Sequence, residues 1–160
     1  MGCGKSSVGR ELAKMLDLKY IDTDAAIESS SNMKISDIFA EHGEKYFRDL
    51  ESSLCVELSV ENNLLISTGG GIVLRKENID NLRKNSVIFL LRATAETTFE
   101  RISHKKDRPL LQVPNPMEKI RELLEAREEF YKAAAEFEII TDNRAVVDIA
   151  QEIKEKYLND

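Results

Sequence analysis

Apolar residues along this chain follow two spacings, one typical of amphipathic helices and one typical of buried strands. Helical spacing predicts helices over residues 7–16, 33–62, 95–102, 117–135 and 145–158, with a break in the second helix at Gly43. Apolar runs predict strands over residues 18–21, 64–67, 87–91 and 137–141. The runs at 64–67 and 87–91 are continuous, as expected for strands covered on both faces. Strands alternating with helices predict an α/β fold with a parallel sheet, in which ligands bind at the carboxyl ends of the strands.

Size, charge and cysteine usage narrow the class of protein. With 160 residues and 18.2 kDa, the chain has the size of one domain. A formal net charge of −6 and a pI of about 5.1 argue against nucleic-acid binding, which normally needs a basic face. The longest purely apolar stretch, residues 87–91, is too short to cross a bilayer. Cys3 and Cys55 fit neither a disulfide framework nor a zinc site, and no export signal is visible, so we expect a cytoplasmic protein, monomeric by default.

The chain opens on a glycine-rich segment, Gly2-Cys3-Gly4-Lys5-Ser6-Ser7, that directly precedes the first predicted helix. This segment matches the end of the phosphate-binding pattern G-x-x-x-x-G-K-[ST], in which backbone N–H groups and a helix N-terminus hold an anion. Lys5 would supply a positive charge to the β- and γ-phosphates of a nucleotide, and the Ser6 hydroxyl would ligate Mg²⁺. The alternative is a glycine-rich helix start without a ligand.

The first glycine of that pattern would fall two residues before Met1, and the buried strand that normally precedes such a loop is not in the sequence. Without a middle strand, its two neighbours would keep unpaired backbone groups, each costing about 1–3 kcal/mol when buried. A central strand usually has about five or six residues, so we expect the functional protein to begin roughly ten residues upstream. The alternative is a fold that lacks a central element.

Asp22 and Asp24 stand at the end of a predicted strand, where ligands of a parallel sheet collect. With one residue between them, they can serve different neighbours. Asp22 could hold a water molecule of Mg²⁺, and Asp24 could accept the proton of an attacking hydroxyl. The alternative is that both carboxylates only cap the helix that follows.

Three further segments can be interpreted from their residues alone. Arg48 and Glu51 have the i, i+3 spacing of a helical ion pair, which by itself favours an exposed pair worth about 0.3–0.5 kcal/mol. Three consecutive glycines at 69–71 cost backbone entropy, which favours a loop against a ligand over a loose turn. Arg127 interrupts the apolar stripe of a long predicted helix, so it either finds a partner or extends to the surface.

Taken in order, the segments G-x-G-K-S, D-T-D, F-R-x-x-E, G-G-G and R-P-L and a late helical arginine resemble the shikimate kinase family. The resemblance implies a three-layer P-loop kinase fold with a central parallel sheet flanked by helices, and a mobile lid over approximately residues 103–116. It also implies phosphorylation of the 3-hydroxyl of shikimate by ATP, with Mg²⁺, in the biosynthesis of aromatic amino acids.

The same resemblance implies roles for individual residues. The residues expected around ATP are Gly2, Cys3, Gly4, Lys5, Ser6, Ser7, Arg101, Arg108 and Arg144, and those expected around shikimate are Asp24, Arg48, Gly69, Gly70, Gly71 and Arg127. Arg48 and Arg127 would form a fork for the substrate carboxylate, with Glu51 orienting Arg48. Lys5, Asp24 and Arg108 would be the catalytic residues, with Arg108 closing over the transferred phosphate. Ser6 and Asp22 would hold Mg²⁺.

Two other functions are compatible with the phosphate loop. A different small-molecule kinase of the same fold, acting on gluconate or a nucleotide, would leave Arg48 and Arg127 unexplained if its substrate had no carboxylate. A nucleotide-binding protein without turnover is the third possibility, which the missing strand supports. Release of ADP with shikimate as the phosphoryl acceptor, measured for this chain and for one extended upstream, separates the three.

Overall fold

A computed structural model of the chain describes residues 2–103 and 113–159. Seven α-helices are found in these ranges: α1 Lys5–Leu16, α2 Thr23–Ser31, α3 Ile35–Leu58, α4 Lys76–Leu82, α5 Ala95–Ser103, α6 Pro116–Ala134 and α7 Val146–Asn159. The strands in the same ranges are β1 Lys19–Asp22, β2 Leu64–Ser67, β3 Phe89–Arg92 and β4 Phe137–Ile140. A short 3₁₀ turn, Ile72–Leu74, follows the glycine loop. No helix within the described ranges is long and apolar enough to span a membrane.

The four strands form two parallel pairs. β1 pairs with β2 so that Lys19 lies opposite Leu64, and β3 pairs with β4 so that Phe89 lies opposite Phe137. The prediction of parallel strands separated by helices is therefore confirmed. The sheet itself is in two parts, because across the described ranges β2 pairs only with β1 and β3 only with β4.

A groove of about 500 Å³ separates the two strand pairs. All residues of β2 and β3 line it, together with apolar side chains of α1 such as Leu12 and Leu16. Apolar walls and unpaired strand edges are what an extended apolar strand needs from its surroundings. The additional strand expected from the sequence stays a prediction.

Helices cover both faces of the strands, which explains why β2 and β3 are apolar up to their last residues, Ser67 and Arg92. Leu64 and Ile66 of β2 pack against a cluster formed by α3, α4, α6 and the 3₁₀ turn. Leu65, between them, packs on the opposite face against a cluster formed by α1, α7 and Ile139 of β4. Because successive side chains of a strand point to opposite faces, a strand between two helical layers needs apolar residues at every position.

The structure confirms the predicted break in one helix and contains a further helix that was not predicted. α3 is interrupted at Gly43, where φ is 82° and ψ is 170°, so the predicted break is confirmed. α4 was not predicted, because its seven residues include only two apolar ones, Ile79 and Leu82. Most of the predicted lid, and Arg108 with it, lies outside the described residues.

Candidate active site

The phosphate-binding segment forms a tight loop at the start of α1. Gly2 and Gly4 have φ values of 64° and 89°, which side-chain-bearing residues rarely adopt, and Gly4 directly precedes the helix. A Cβ atom at Gly2 would lie 2.9 Å from the Thr98 side chain, so the loop is also packed closely against α5. The backbone therefore has the form that an anion-binding helix N-terminus needs, as the sequence predicts.

Lys5 and Cys3 are in contact within this loop. The Lys5 ammonium lies 3.5 Å from the Cys3 sulfur, and Cys3 is buried. Burial acts to raise the pKa of the Cys3 thiol, but the charge of Lys5, then that of the N-terminal amine, and the hydrogen bonds with Lys5 together lower the pKa. The thiol and the ammonium thus stabilise each other's charged forms at the place where a phosphate is expected.

Ser6 and Asp22 are brought together although they are far apart along the chain. The Ser6 hydroxyl donates to Asp22 Oδ2 at 3.3 Å, and the Tyr20 hydroxyl donates to the same oxygen at 3.3 Å. The other oxygen of Asp22 accepts from the backbone N–H groups of Asp24 and Ala25 and caps α2. Asp22 can therefore both cap α2 and take part in the expected magnesium site, since one of its oxygens caps the helix and the other faces Ser6.

Asp24 lies against the glycine loop that follows β2. A Cβ atom at Gly69 would approach Asp24 Oδ1 to 2.6 Å and Glu51 Oε1 to 3.3 Å, so only a glycine fits between these carboxylates. Thr23, which is buried, accepts a hydrogen bond from the Gly69 backbone N–H at 3.0 Å. This bond fixes the glycine loop to the start of α2, immediately beside Asp24.

Arg48 contacts the same loop at Gly71. Its guanidinium donates to Glu51 Oε2 at 2.5 Å and to Glu44 Oε1, and it lies so close to Gly71 that a Cβ there would overlap it. Burial acts to lower the pKa of Arg48, but the two carboxylates prevail and raise it. Burial raises the pKa of Glu51, and its second oxygen, Oε1, has no hydrogen-bond partner among the described residues. A buried acceptor of this kind is suited to a donor on a ligand.

Arg127 of α6 contacts the centre of the glycine loop. Its Nη1 donates to the Gly70 carbonyl at 3.3 Å, and the Tyr131 hydroxyl donates to the same carbonyl at 2.7 Å. Of the two possibilities left by the sequence, a partner or the surface, Arg127 has found a partner. Arg48 of α3 and Arg127 of α6 therefore both contact the glycine loop, Arg48 at Gly71 and Arg127 at the Gly70 carbonyl.

The two arginines expected near adenine have different surroundings. Arg101 donates to the hydroxyl and carbonyl of Thr141 at 2.9 and 2.7 Å, and a Cβ at Gly4 would lie 4.0 Å from its Nη1, so it is next to the phosphate loop. Arg144 donates to the Ile140 carbonyl at 3.0 Å and pairs with Glu152 of α7 at 2.6 Å. Its contacts hold it to α7, and its assignment to the nucleotide stays a prediction.

Three residues that shape the site did not stand out from the sequence: Thr23, Glu44 and Tyr131. Thr23 is the middle residue of D-T-D, and the two carboxylates beside it are the stronger signals. Tyr131 belongs to the apolar stripe of α6, one helical turn after Arg127, and a hydroxyl on such a stripe is a signal because a buried hydroxyl needs a partner. Glu44 is four residues before Arg48, the other helical spacing at which a carboxylate can reach it.

Comparison with known proteins agrees with this geometry. The family model "Shikimate kinase" matches residues 1–158. A shikimate kinase of Caldanaerobacter subterraneus subsp. tengcongensis is 44% identical over 99% of this chain and 92% of its own length, and one of Thermodesulfovibrio yellowstonii is 43% identical over 98% and 90%. The structure of the Acinetobacter baumannii shikimate kinase in complex with shikimate is similar, with a TM-score of 0.93 and 36% identity over 99% of this chain and 89% of that one. A gluconokinase from Sinorhizobium meliloti, with a TM-score of 0.55 and 16% identity over 99% and 92% of the two chains, shares the fold alone. By the family model and by these relatives, the chain belongs to the shikimate kinase family.

Proposed function

We propose that this protein transfers the γ-phosphoryl group of ATP to the 3-hydroxyl of shikimate. The observation that most supports this substrate is the convergence of Arg48 and Arg127 on the glycine loop, with Asp24 at the same loop. Two guanidinium groups suit the carboxylate of a small acid, and a carboxylate beside them suits its hydroxyl groups. Membership of the shikimate kinase family makes shikimate the acid to test first.

In this proposal the catalytic power comes mainly from positioning and from fixed charges. Lys5 and the N–H groups of residues 2–7 bind the phosphates, while Arg48 and Arg127 hold the substrate carboxylate. Asp24 accepts a hydrogen bond from the attacking hydroxyl and so directs its lone pair toward phosphorus. Arg108, outside the described residues, is proposed to add charge at the transferred phosphate.

The oxygen atoms of Ser6 and Asp22 fit a magnesium ion. Mg²⁺ prefers hard oxygen ligands, keeps several of its waters, and is usually bound through one or two protein groups plus phosphate. The hydroxyl of Ser6 and the Asp22 oxygen that faces it, 3.3 Å apart, provide such a pair. When bound, the ion would neutralise charge on the phosphates.

A cytoplasmic location, a monomeric state and a role for Arg144 in nucleotide binding also stay predictions.

The direct test is ADP release by the purified chain, and by one extended upstream, with three acceptors: shikimate, gluconate and a nucleoside monophosphate. Turnover with shikimate alone is the expected result. Turnover with another acceptor would favour a different small-molecule kinase, and tight nucleotide binding without turnover would favour a protein that only binds nucleotides.

Replacing Arg127 tests the proposed carboxylate fork. Because charge-assisted bonds to one carboxylate would be lost, we expect Arg127→Ala to raise the KM for shikimate about tenfold or more, with the KM for ATP within about twofold. Arg121→Ala is the matched control, since Arg121 is on the same helix but pairs with Glu96 at the surface. An equal loss of affinity for ATP and shikimate would contradict the role assigned to Arg127.

A further inference from the structure

The guanidinium group of Arg48 donates hydrogen bonds to two carboxylates, those of Glu44 and Glu51, through different N–H groups. Its Nε and Nη2 both donate to Glu44 Oε1, at 3.2 and 3.0 Å, and its Nη1 donates to Glu51 Oε2. A guanidinium has five N–H donors, so three are engaged and two are left, one on Nη1 and one on Nη2. These are also the two atoms that lie against Gly71 in the glycine loop.

The carboxylates of Glu44 and Glu51 differ in exposure, which indicates that they contribute differently to folding stability. The side chain of Glu51 is 1% exposed and that of Arg48 13%, whereas that of Glu44 is 61% exposed. An ion pair with so exposed a partner contributes little to folding stability. Two N–H groups that donate to the same oxygen atom nevertheless restrict the rotation of the planar guanidinium, because both must point to that atom.

Glu44 is placed for this contact by the break in α3. The left-handed φ at Gly43 ends the first part of the helix, and Glu44 begins the second part, four residues before Arg48. A carboxylate is favoured in the first turn of a helix, and the i, i+4 spacing puts it on the same face as Arg48. The position of Glu44 therefore follows from the backbone, and it needs no contact with another element.

We propose that Glu44 is a positioning residue for substrate binding. It fixes the plane of the Arg48 guanidinium so that the two remaining N–H groups face the glycine loop, where they can bind a carboxylate in bidentate fashion. This inference rests on the proposed function, since Arg48 is taken there as a ligand of the substrate carboxylate. Glu44 itself does not touch the substrate.

The test compares Glu44→Ala and Glu44→Gln with Glu41→Ala, a matched control at an exposed glutamate of α3, on the far side of the Gly43 break. Shikimate affinity is measured by calorimetry, and kcat and both KM values are measured by ADP release. We expect Glu44→Ala to weaken shikimate binding about three- to tenfold, with kcat and the KM for ATP within about twofold. Glu44→Gln keeps the acceptor oxygen and should retain affinity within about twofold of the wild type.

Several results would overturn the inference. Tighter binding of shikimate by both variants would mean that Glu44 competes with the substrate carboxylate for Arg48. Unchanged affinity would mean that the pair is only a surface contact, and parallel loss of ATP affinity and melting temperature would mean that it is structural. Failure of the proposed function is a separate outcome, because it would appear as absent shikimate turnover and binding in the wild type.

Discussion

The two cysteines show how the surroundings of one side chain decide its chemistry. Cys3 is buried in the phosphate loop, where Lys5 lies 3.5 Å from its sulfur and the pKa of the thiol is lowered. Cys55 is fully buried in the cluster under β2, where burial and, after it, the charge of Glu51 raise the pKa of the thiol to about 12. Because the thiolate is the nucleophile, only Cys3 should react at neutral pH.

We therefore expect iodoacetamide to alkylate Cys3 well before Cys55 in the folded chain, as measured by peptide mass spectrometry over time. The Cys3 rate should level off at a lower pH than that of a free cysteine, since a lowered pKa gives more thiolate at each pH. ADP should slow the labelling of Cys3, because phosphate would occupy the loop. In denaturant both residues should react alike, and this is the control. Equal rates in the folded chain, or no effect of ADP, would contradict the prediction.

At the junction of β1 and α2, a single carboxylate serves two neighbours. One oxygen of Asp22 accepts two backbone N–H groups and caps α2, and the other accepts from Ser6 and Tyr20. The strand end thus fixes both the start of a helix and the proposed magnesium site. Substitutions at this position can separate the two contributions, since asparagine caps helices about as well as aspartate but is a poorer ligand for Mg²⁺.

We expect Asp22→Asn to unfold at nearly the wild-type urea concentration but to need more MgCl₂ for half-maximal activity. Asp22→Ala should lose about 0.5–2 kcal/mol of stability in addition, because the helix cap is removed. The two measurements are a urea titration and an activity titration with MgCl₂ for each variant. If Asp22→Asn kept the wild-type requirement for MgCl₂, Asp22 would have no part in magnesium binding. If it lost as much stability as Asp22→Ala, the cap interpretation would be wrong.

The elements that the sequence predicts best are those whose signal is local. β2 is found at the predicted residues, because a continuous apolar run between polar residues has few other interpretations. β3 begins at Phe89 and ends at Arg92, two residues and one residue later than predicted, because pairing with β4 sets its limits. α4 was missed because its apolar residues are too few to show a spacing.

In the candidate active site, too, the residues with a local signal in the sequence can be predicted, and contacts between distant residues cannot. Lys5, Arg48 and Arg127 could be singled out because a charge in a motif or on an apolar stripe is visible in the sequence. The hydrogen bond from Tyr131 to the Gly70 carbonyl could not, since it joins residues 61 positions apart and depends on how α6 packs on the loop. The same holds for Thr23 and Gly69, which are 46 positions apart.

Across the molecule, α1 is one of the elements that join the two strand pairs. Val8 and Leu12 of this helix belong to an apolar cluster that includes Leu65 of β2 and Phe89 of β3, and α7 closes the same cluster. Leu12 also lines the groove between the pairs. The helix that begins at the phosphate loop therefore also packs, together with α7, against both halves of the sheet.

Leu12→Ala should consequently loosen both strand pairs together. Removing a buried leucine side chain costs about 2–5 kcal/mol, and we expect amide hydrogen exchange to become faster in both β2 and β3, as measured by mass spectrometry of the native chain. Ile38→Ala is the matched control, since Ile38 is also buried, at 0% exposure against 7% for Leu12, but packs in a cluster of α2 and α3 that includes no strand residue. This control should be destabilised while β3 and β4 keep more of their protection. If amide hydrogen exchange in β3 of Leu12→Ala stayed at the wild-type rate, packing on α1 would not connect the two strand pairs.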